Sequence, residues 1–229
     1  MSIYSSMTAN ASPLLSARTS AGIADIIRRE ILSGNLKPDQ PLMEREIASE
    51  LNVSRTPVRE ALFILQGEGL VELVPRRYAR VRKITYTDIS QIYSLRKVLE
   101  VYSAENAARF STPAAILDIE TALIRQKNLD RNCSAIEQAH ADLAFHAAIA
   151  AASGSMILTT VINQVLAFTS TLRSRMKYET TQSKLALKQH REILQAIKDK
   201  DPANAAVRMA DHISTSTAYA KSHSGVSDE

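Results

Sequence analysis

Residues 43–81 read MEREIASELNVSRTPVREALFILQGEGLVELVPRRYARV, and the changes of period along this stretch decide the fold of the first part of the chain. In MEREIASEL, Ile47 and Leu51 lie four residues apart, on one face of a short helix. Asn52-Val53 breaks it. Ser54 is placed to cap a new helix, and Pro57 falls in that helix's first turn, where its missing N–H forfeits no internal bond. Val58, Leu62 and Leu65 form its core face. LVELV (residues 70–74) and ARVRKI (79–84) then alternate apolar with polar residues around the turn Pro75-Arg76-Arg77-Tyr78, the pattern of a two-stranded hairpin.

Upstream, Ile23, Ile27 and Ile31 recur at four-residue spacing between Ser16 and Ser33, and Gly34 follows, so a helix with a glycine stop is expected. Asn35 to Pro41 carries two prolines and an Asp and reads as a turn segment. Residues 1–15 are rich in Ser, Thr, Ala and Asn without any period and read as a flexible arm. Helix, helix, turn, helix and hairpin over residues 16–85 make a winged helix-turn-helix.

After Thr85 strand signals all but vanish. Breaks at Ser111-Thr112-Pro113, Asn128 to Asn132, Ser153-Gly154-Ser155, Thr180-Thr181 and Asp201-Pro202 leave helices expected at 87–110, 113–129, 133–152, 155–178, 181–200 and 202–221. The expected fold class is therefore mainly α: an N-terminal winged helix-turn-helix with a small β-hairpin wing, then an all-α bundle of six to seven helices over 86–222, with a flexible tail at 223–229.

Composition narrows the function classes. With 229 residues, 45% hydrophobic and 23% charged, and no apolar run near the roughly 18 residues of a membrane span, insertion in a membrane is not expected. The start MSIYSSMTANASPLLSARTS lacks the charged and continuously apolar regions of a secretory signal. The single cysteine, Cys133, can form neither an internal disulfide nor a Cys-rich zinc site, which fits the cytoplasm. A net charge of +4 is too small to mark a nucleic-acid binder, but Arg76, Arg77, Arg80, Arg82 and Lys83 crowd five positive charges around the hairpin turn.

A helix-turn-helix reads double-stranded DNA by laying its second helix in the major groove, with the leading residues against the base edges. Here those are Ser54, Arg55, Thr56 and Arg59, two guanidiniums able to grip guanine in bidentate fashion and two hydroxyls for phosphate or base. Arg45 on the preceding helix is expected near the backbone, and Arg76 and Arg77 at the hairpin tip in the flanking minor groove. The alternative is that Arg55 and Arg59 pair with Glu60 or other surface carboxylates. EREIASELNVSRTPVREALFILQGEGLVELVPRRYARV closely resembles the DNA-binding domain of GntR-family bacterial transcription regulators over about residues 23–81, with VSRTPVREAL and L-x-x-EGLVE as its strongest core. The resemblance implies that Arg45, Ser54, Arg55, Thr56 and Arg59 match DNA-touching positions and that Arg76 and Arg77 match the wing tip. Two departures are Pro38-Asp39, where the family usually has Pro-Gly, and Tyr78, where it has a glycine.

In the second half, Asp142 and His146 lie four apart on an expected helix, about 40° and about 6 Å from each other, so both can grip one ion. His190 falls on the stripe Leu187, His190, Leu194, Ile197, and His212 on Ala205, Met209, His212, Ser216, so both imidazoles are expected inside the bundle. Three neutral imidazoles and a carboxylate suit one divalent transition metal per chain, zinc or nickel, rather than magnesium or calcium. Taken singly, each histidine is more often a hydrogen-bonded core residue. His140 and His223 fall outside the set. DLAFH, AAASGS, QHREILQAI and RMADHI, in that order, together with the helix IYSLRKVLEVYSAENAA, resemble the FCD ligand-sensing domain over about residues 87–220. The resemblance implies Asp142, His146, His190 and His212 as metal ligands and a small carboxylate as effector; Ser155 stands where an Asn often follows Ser-Gly. Arg96, between Ile92 and Leu99, either points inward as a fork for a carboxylate or pairs with Glu100; Arg173 and Arg175 are weaker candidates.

The sequence is accordingly identified as a cytoplasmic, homodimeric repressor on a near-palindromic operator, controlled by a small organic acid bound at or near the metal, and not as an enzyme. The alternatives are a metal-dependent hydrolase and a metal-free acyl-CoA sensor.

Overall fold

The computed structural model describes residues 19–74, 78–129, 133–173 and 179–224. The chain divides between Ile84 and Thr85 into two compact units.

The first unit runs α1 (Ser20–Leu32), β1 (Pro41–Leu42), α2 (Glu44–Glu50), α3 (Arg55–Gly67), β2 (Val71–Val74) and β3 (Tyr78–Val81). Thr19 caps α1 by accepting a 3.1 Å hydrogen bond from the Gly22 amide, so the helix begins four residues later than the isoleucine period alone suggested. Ile23, Ile27 and Ile31 of α1, Ile47 of α2, and Val58, Leu62 and Leu65 of α3 bury into one cluster with Leu42, Leu70, Val71, Ala79 and Val81. Each fully buried aliphatic side chain of this kind contributes about 1.5–3 kcal/mol of transfer free energy.

Two local expectations are corrected. The hairpin is a three-stranded antiparallel sheet of order β1-β3-β2, because the segment read as a turn ends in a strand whose Leu42 lies opposite Ala79. Asp39 makes this possible by adopting φ +63°, the left-handed region that favours glycine, while its amide donates to the Val81 carbonyl at 2.9 Å. The Pro38-Asp39 departure therefore keeps a glycine-like turn with a non-glycine residue. Ser54 occupies the N-cap of α3 in an extended conformation, but its hydroxyl makes no capping hydrogen bond.

The second unit consists of α4 (Tyr86–Phe110), α5 (Pro113–Lys127), α6 (Ala135–Ala152), α7 (Met156–Arg173), α8 (Thr180–Lys198) and α9 (Pro202–His223). Capping boxes at Thr85/Asp88 and Ser134/Glu137 start α4 and α6, and Pro113 and Pro202 stand in the first turns of α5 and α9. The longest shared face is that of α4 with α9, and α6 packs on α5 and α7. His223 is the last residue of α9 rather than the start of a tail, held by stacking on Tyr219 at 4.1 Å between ring centroids. Among the described residues, no helix is long and apolar enough to cross a membrane.

Candidate functional site

Two groups of side chains stand out, one in each unit. In the first, Arg45, Ser54, Arg55, Thr56 and Arg59 are all exposed, on α2 and the opening of α3. Arg45, Arg55 and Arg59 line one surface groove of about 500 Å³ whose floor includes Leu62 and Ala79. Both arginines do pair with a carboxylate, as the alternative reading allowed, but it is Glu44 rather than Glu60. Glu44 of α2 accepts from Arg59 Nε at 2.8 Å and Nη2 at 2.9 Å, and from Arg55 Nη2 at 3.2 Å. Hydrogen bonding from Arg59 holds the Glu44 carboxyl below its ordinary range, against the opposing effect of burial. Sequence spacing could not reveal this contact, because residues 44 and 59 meet only through the packing of α2 on α3. Arg76 and Arg77 lie outside the described residues.

In the second unit the expected stripes point inward, and His146, His190 and His212 are each at most 1% exposed. Their Nε2 atoms converge: His190 to His212 is 3.2 Å and His212 to His146 is 3.3 Å. Among the described residues, these three form the one group of His, Cys, Asp and Glu side chains dense enough to hold a metal ion.

The outer nitrogens explain why the inner ones are bare. His190 Nδ1 is 2.8 Å from Gln126 Oε1, and the amide of Gln126 cannot turn over because its Nε2 donates to Asp142 Oδ1 at 3.1 Å. His212 Nδ1 is 3.0 Å from Gln189 Oε1, whose own Nε2 donates to the Thr215 hydroxyl at 3.2 Å. His146 Nδ1 lies 2.5 Å from Glu100 Oε2. That contact is close but is not a hydrogen bond. Nδ1 of His190 and of His212 therefore carries the hydrogen, and their Nε2 lone pairs face the point on which His146 Nε2 also converges. Nitrogens about 2.0–2.1 Å from a tetrahedral ion lie about 3.3–3.4 Å apart, close to the separations found here. The residues thus fit a divalent transition metal.

Electrostatics agree with that donor set. Burial pushes His190 down to about 3 and His212 well below its ordinary value, so both imidazoles are neutral, the form a metal requires. Burial alone would raise the Asp142 carboxyl, but Arg173 first, then His190 and His146, hold it far below the usual carboxylate range. Asp142 faces the cluster at 3.7 Å from His146 Nε2 and 3.8 Å from His190 Nε2. Its Oδ2 is engaged by Arg173 Nη1. Phe145 stacks on His190 at 4.1 Å and fixes the ring plane.

Of the two alternatives expected for Arg96, the pair with Glu100 forms. Its Nε donates to Glu100 Oε1 at 2.6 Å, yet the side chain is only 1% exposed. Nη1 and Nη2 are buried without a hydrogen-bond partner. Burial opposes the charge on Glu100, but Arg96 and then His146 outweigh it and hold that carboxyl at about 2. His140 is exposed, away from the cluster. Gln126, Gln189 and Glu100 as supports of the imidazoles were not foreseen; the one sequence signal was a polar residue on an otherwise buried helical face, as at Gln126.

Comparison with known proteins follows the same division. Residues 19–81 match the gntR family of bacterial regulatory proteins and residues 91–215 match the FCD domain. The Glc operon transcriptional activator of Escherichia coli K12 is 32% identical, the alignment covering 84% of this chain and 85% of that protein. The gluconate operon transcriptional repressor of Bacillus subtilis is 31% identical over 83% of this chain and 80% of its own. Among solved structures, a GntR transcriptional regulator from Rhodococcus sp. RHA1 superposes with a TM-score of 0.70 at 25% identity, covering 88% of this chain and 96% of that one. McbR/YncC of E. coli shares the fold with a TM-score of 0.68 at 22% identity, over 88% and 96% of the two chains. The two relatives and the Rhodococcus neighbour are transcriptional regulators, not enzymes, which removes the hydrolase alternative. The chain belongs to the GntR family of bacterial transcriptional regulators, with an FCD domain as its second half.

Proposed function

We propose that this regulator is a cytoplasmic homodimer that represses transcription from a near-palindromic operator, and that a small carboxylic acid bound at a metal in the helical unit controls its operator affinity. Arg45, Ser54, Arg55, Thr56 and Arg59 contact the DNA, with Arg76 and Arg77 at the wing. Asp142, His146, His190 and His212 hold one divalent transition metal, zinc or nickel.

The observation that carries the effector reading is the pairing of two features in one buried region. Three Nε2 atoms converge on a point, and the two terminal nitrogens of Arg96 are buried without a hydrogen-bond partner, the guanidinium lying 5.2 Å from the Tyr93 ring centroid. A buried donor without an acceptor costs about 1–3 kcal/mol, more when charged, so Arg96 favours a ligand able to satisfy both nitrogens. A carboxylate does so in bidentate fashion. A bound divalent ion supplies a second positive pole for the same ligand. Glu100 anchors Arg96 through Nε and leaves its end edge for the effector. Gluconate, in the name of one relative, is itself a small hydroxycarboxylate.

The test is a thermal-shift screen of the metal-loaded protein against small mono- and dicarboxylates. A ligand at 100 times its Kd stabilises the native state by about 2.7 kcal/mol, a shift of several degrees. At least one acid should raise Tm in the metal-loaded wild type and lose its effect in Arg96→Met; a panel that moves neither protein contradicts the proposal.

A further inference from the structure

We infer that Glu44 is a positioning residue for base readout: its carboxylate takes the side edge of Arg59, fixes that guanidinium for end-on pairing with a guanine, and tethers Arg55 beside it. The inference rests on the proposal that Arg55 and Arg59 read DNA, and adds a residue that makes no contact with the DNA itself.

The geometry is specific. Arg59 Nε and Nη2 each donate to a different oxygen of Glu44, at 2.8 and 2.9 Å, the parallel two-bond arrangement that holds a guanidinium in one plane. Among the described residues, no group accepts from Arg59 Nη1, so the end edge of the guanidinium remains for a ligand. Guanine O6 and N7 form an acceptor pair that matches that edge. Arg59 is 58% exposed and Arg55 63%, whereas Glu44 is only 22% exposed, so the carboxylate sits behind the arginines rather than in front of them. Glu44 opens α2, where the helix dipole favours a negative charge and leaves the carboxylate in place when DNA arrives.

The arrangement acts on specific and non-specific binding in opposite directions. A free arginine side chain loses several rotatable bonds on docking, and one already held in plane loses fewer, so Glu44 favours the correct base. From behind the arginines the same negative charge offsets part of their positive charge and so weakens binding to any sequence. Glu44→Gln keeps the size of the side chain and removes the charge. It should lower discrimination while leaving non-specific affinity equal or higher, a combination that loss of folding does not produce.

The experiment uses the full chain and a pool of randomised DNA duplexes. The duplex enriched by wild type and a scrambled duplex of the same composition are then titrated by fluorescence anisotropy at fixed salt against wild type, Glu44→Gln, Arg59→Ala and the double variant. The enriched-to-scrambled affinity ratio should fall at least about fivefold in Glu44→Gln, with the scrambled duplex bound as tightly as by wild type or more so, since a good bidentate base contact carries about five- to 150-fold of discrimination. In the Arg59→Ala background the same change should leave the ratio within twofold. If Glu44→Gln is not folded by circular dichroism, Glu44→Asp, too short for both bonds, carries the same expectation. A ratio unchanged in the Glu44 variant, or lowered equally with and without Arg59, overturns the inference. If Arg55→Ala and Arg59→Ala lose discrimination while the Glu44 variants do not, Glu44 alone is refuted; if wild type enriches no duplex, the DNA-reading proposal falls with it.

Discussion

Replacing Gln126 by Leu tests whether the buried histidines are metal ligands or a satisfied hydrogen-bond cluster. Gln126 is 7% exposed and spans two of the proposed ligands, accepting from His190 Nδ1 at 2.8 Å and donating to Asp142 Oδ1 at 3.1 Å. Leucine keeps the volume and removes both bonds. His190 is then free to carry its proton on Nε2, the wrong nitrogen for a metal, and Asp142 loses one of its two anchors. Outer partners of this kind contribute about 10- to 100-fold to metal affinity, which is about 1.4–2.7 kcal/mol. Holding two ligands at once, Gln126 belongs toward the upper part of that range. The metal-free variant should also be less stable, because a buried acceptor and a buried donor lose their partners at about 1–3 kcal/mol each. The informative quantity is therefore the stabilisation gained on adding metal, not Tm alone. Competition of zinc between the protein and a chromophoric chelator measures the affinity, and melting with and without chelator measures the gain. Affinity within twofold of wild type would remove Gln126 as a support of the metal ligands.

Other outcomes follow from the same side chains. Arg55→Ala and Arg59→Ala should each abolish sequence discrimination with helicity intact, at about 1–3 kcal/mol per bidentate pairing, and operator affinity equal to wild type in both would contradict the assignment. Arg76→Ala with Arg77→Ala should weaken binding to all duplexes and flatten the salt dependence of log K by about 0.9 for each phosphate no longer neutralised; an unchanged slope makes these arginines a solvated edge. Without metal, stability should fall on acidification from pH 7.5 to 5. His190 and His212 are held neutral in the folded protein, so below about pH 6.5 the unfolded chain binds the extra protons, at up to about 1.4 kcal/mol per pH unit for each imidazole. Urea midpoints that stay flat over that range would contradict this.

The architecture was legible where a local period was strong. Ile23, Ile27 and Ile31 and the stripes through His190 and His212 report which face turns inward, and Pro113 and Pro202 mark where α5 and α9 begin. The third strand at Pro41–Leu42 was not legible, because two residues are too short for a period and the turn before them depends on Asp39 adopting a backbone conformation usual for glycine. The candidate site divides in the same way. Asp142, His146, His190 and His212 could be named from helical spacing. Glu44 against Arg59, Gln126 against His190 and Gln189 against His212 join residues from different helices, and nothing short of tertiary packing brings them together. Arg96 shows a third case: spacing offered an inward fork or a pair with Glu100 as alternatives, and the guanidinium is paired with Glu100 through Nε while Nη1 and Nη2 are buried without a hydrogen-bond partner.

Whether this regulator is a metal-dependent sensor is decided by elemental analysis of the purified protein after dialysis against a mild chelator. About one divalent transition metal per chain is expected in wild type and in His140→Ala, whose side chain is exposed away from the cluster, and clearly less in His146→Ala and His190→Ala. Wild-type protein that holds no metal even after refolding with zinc, nickel or manganese would be incompatible with a metal sensor, and would leave the three imidazoles as a hydrogen-bonded core with Arg96 alone to receive an acid.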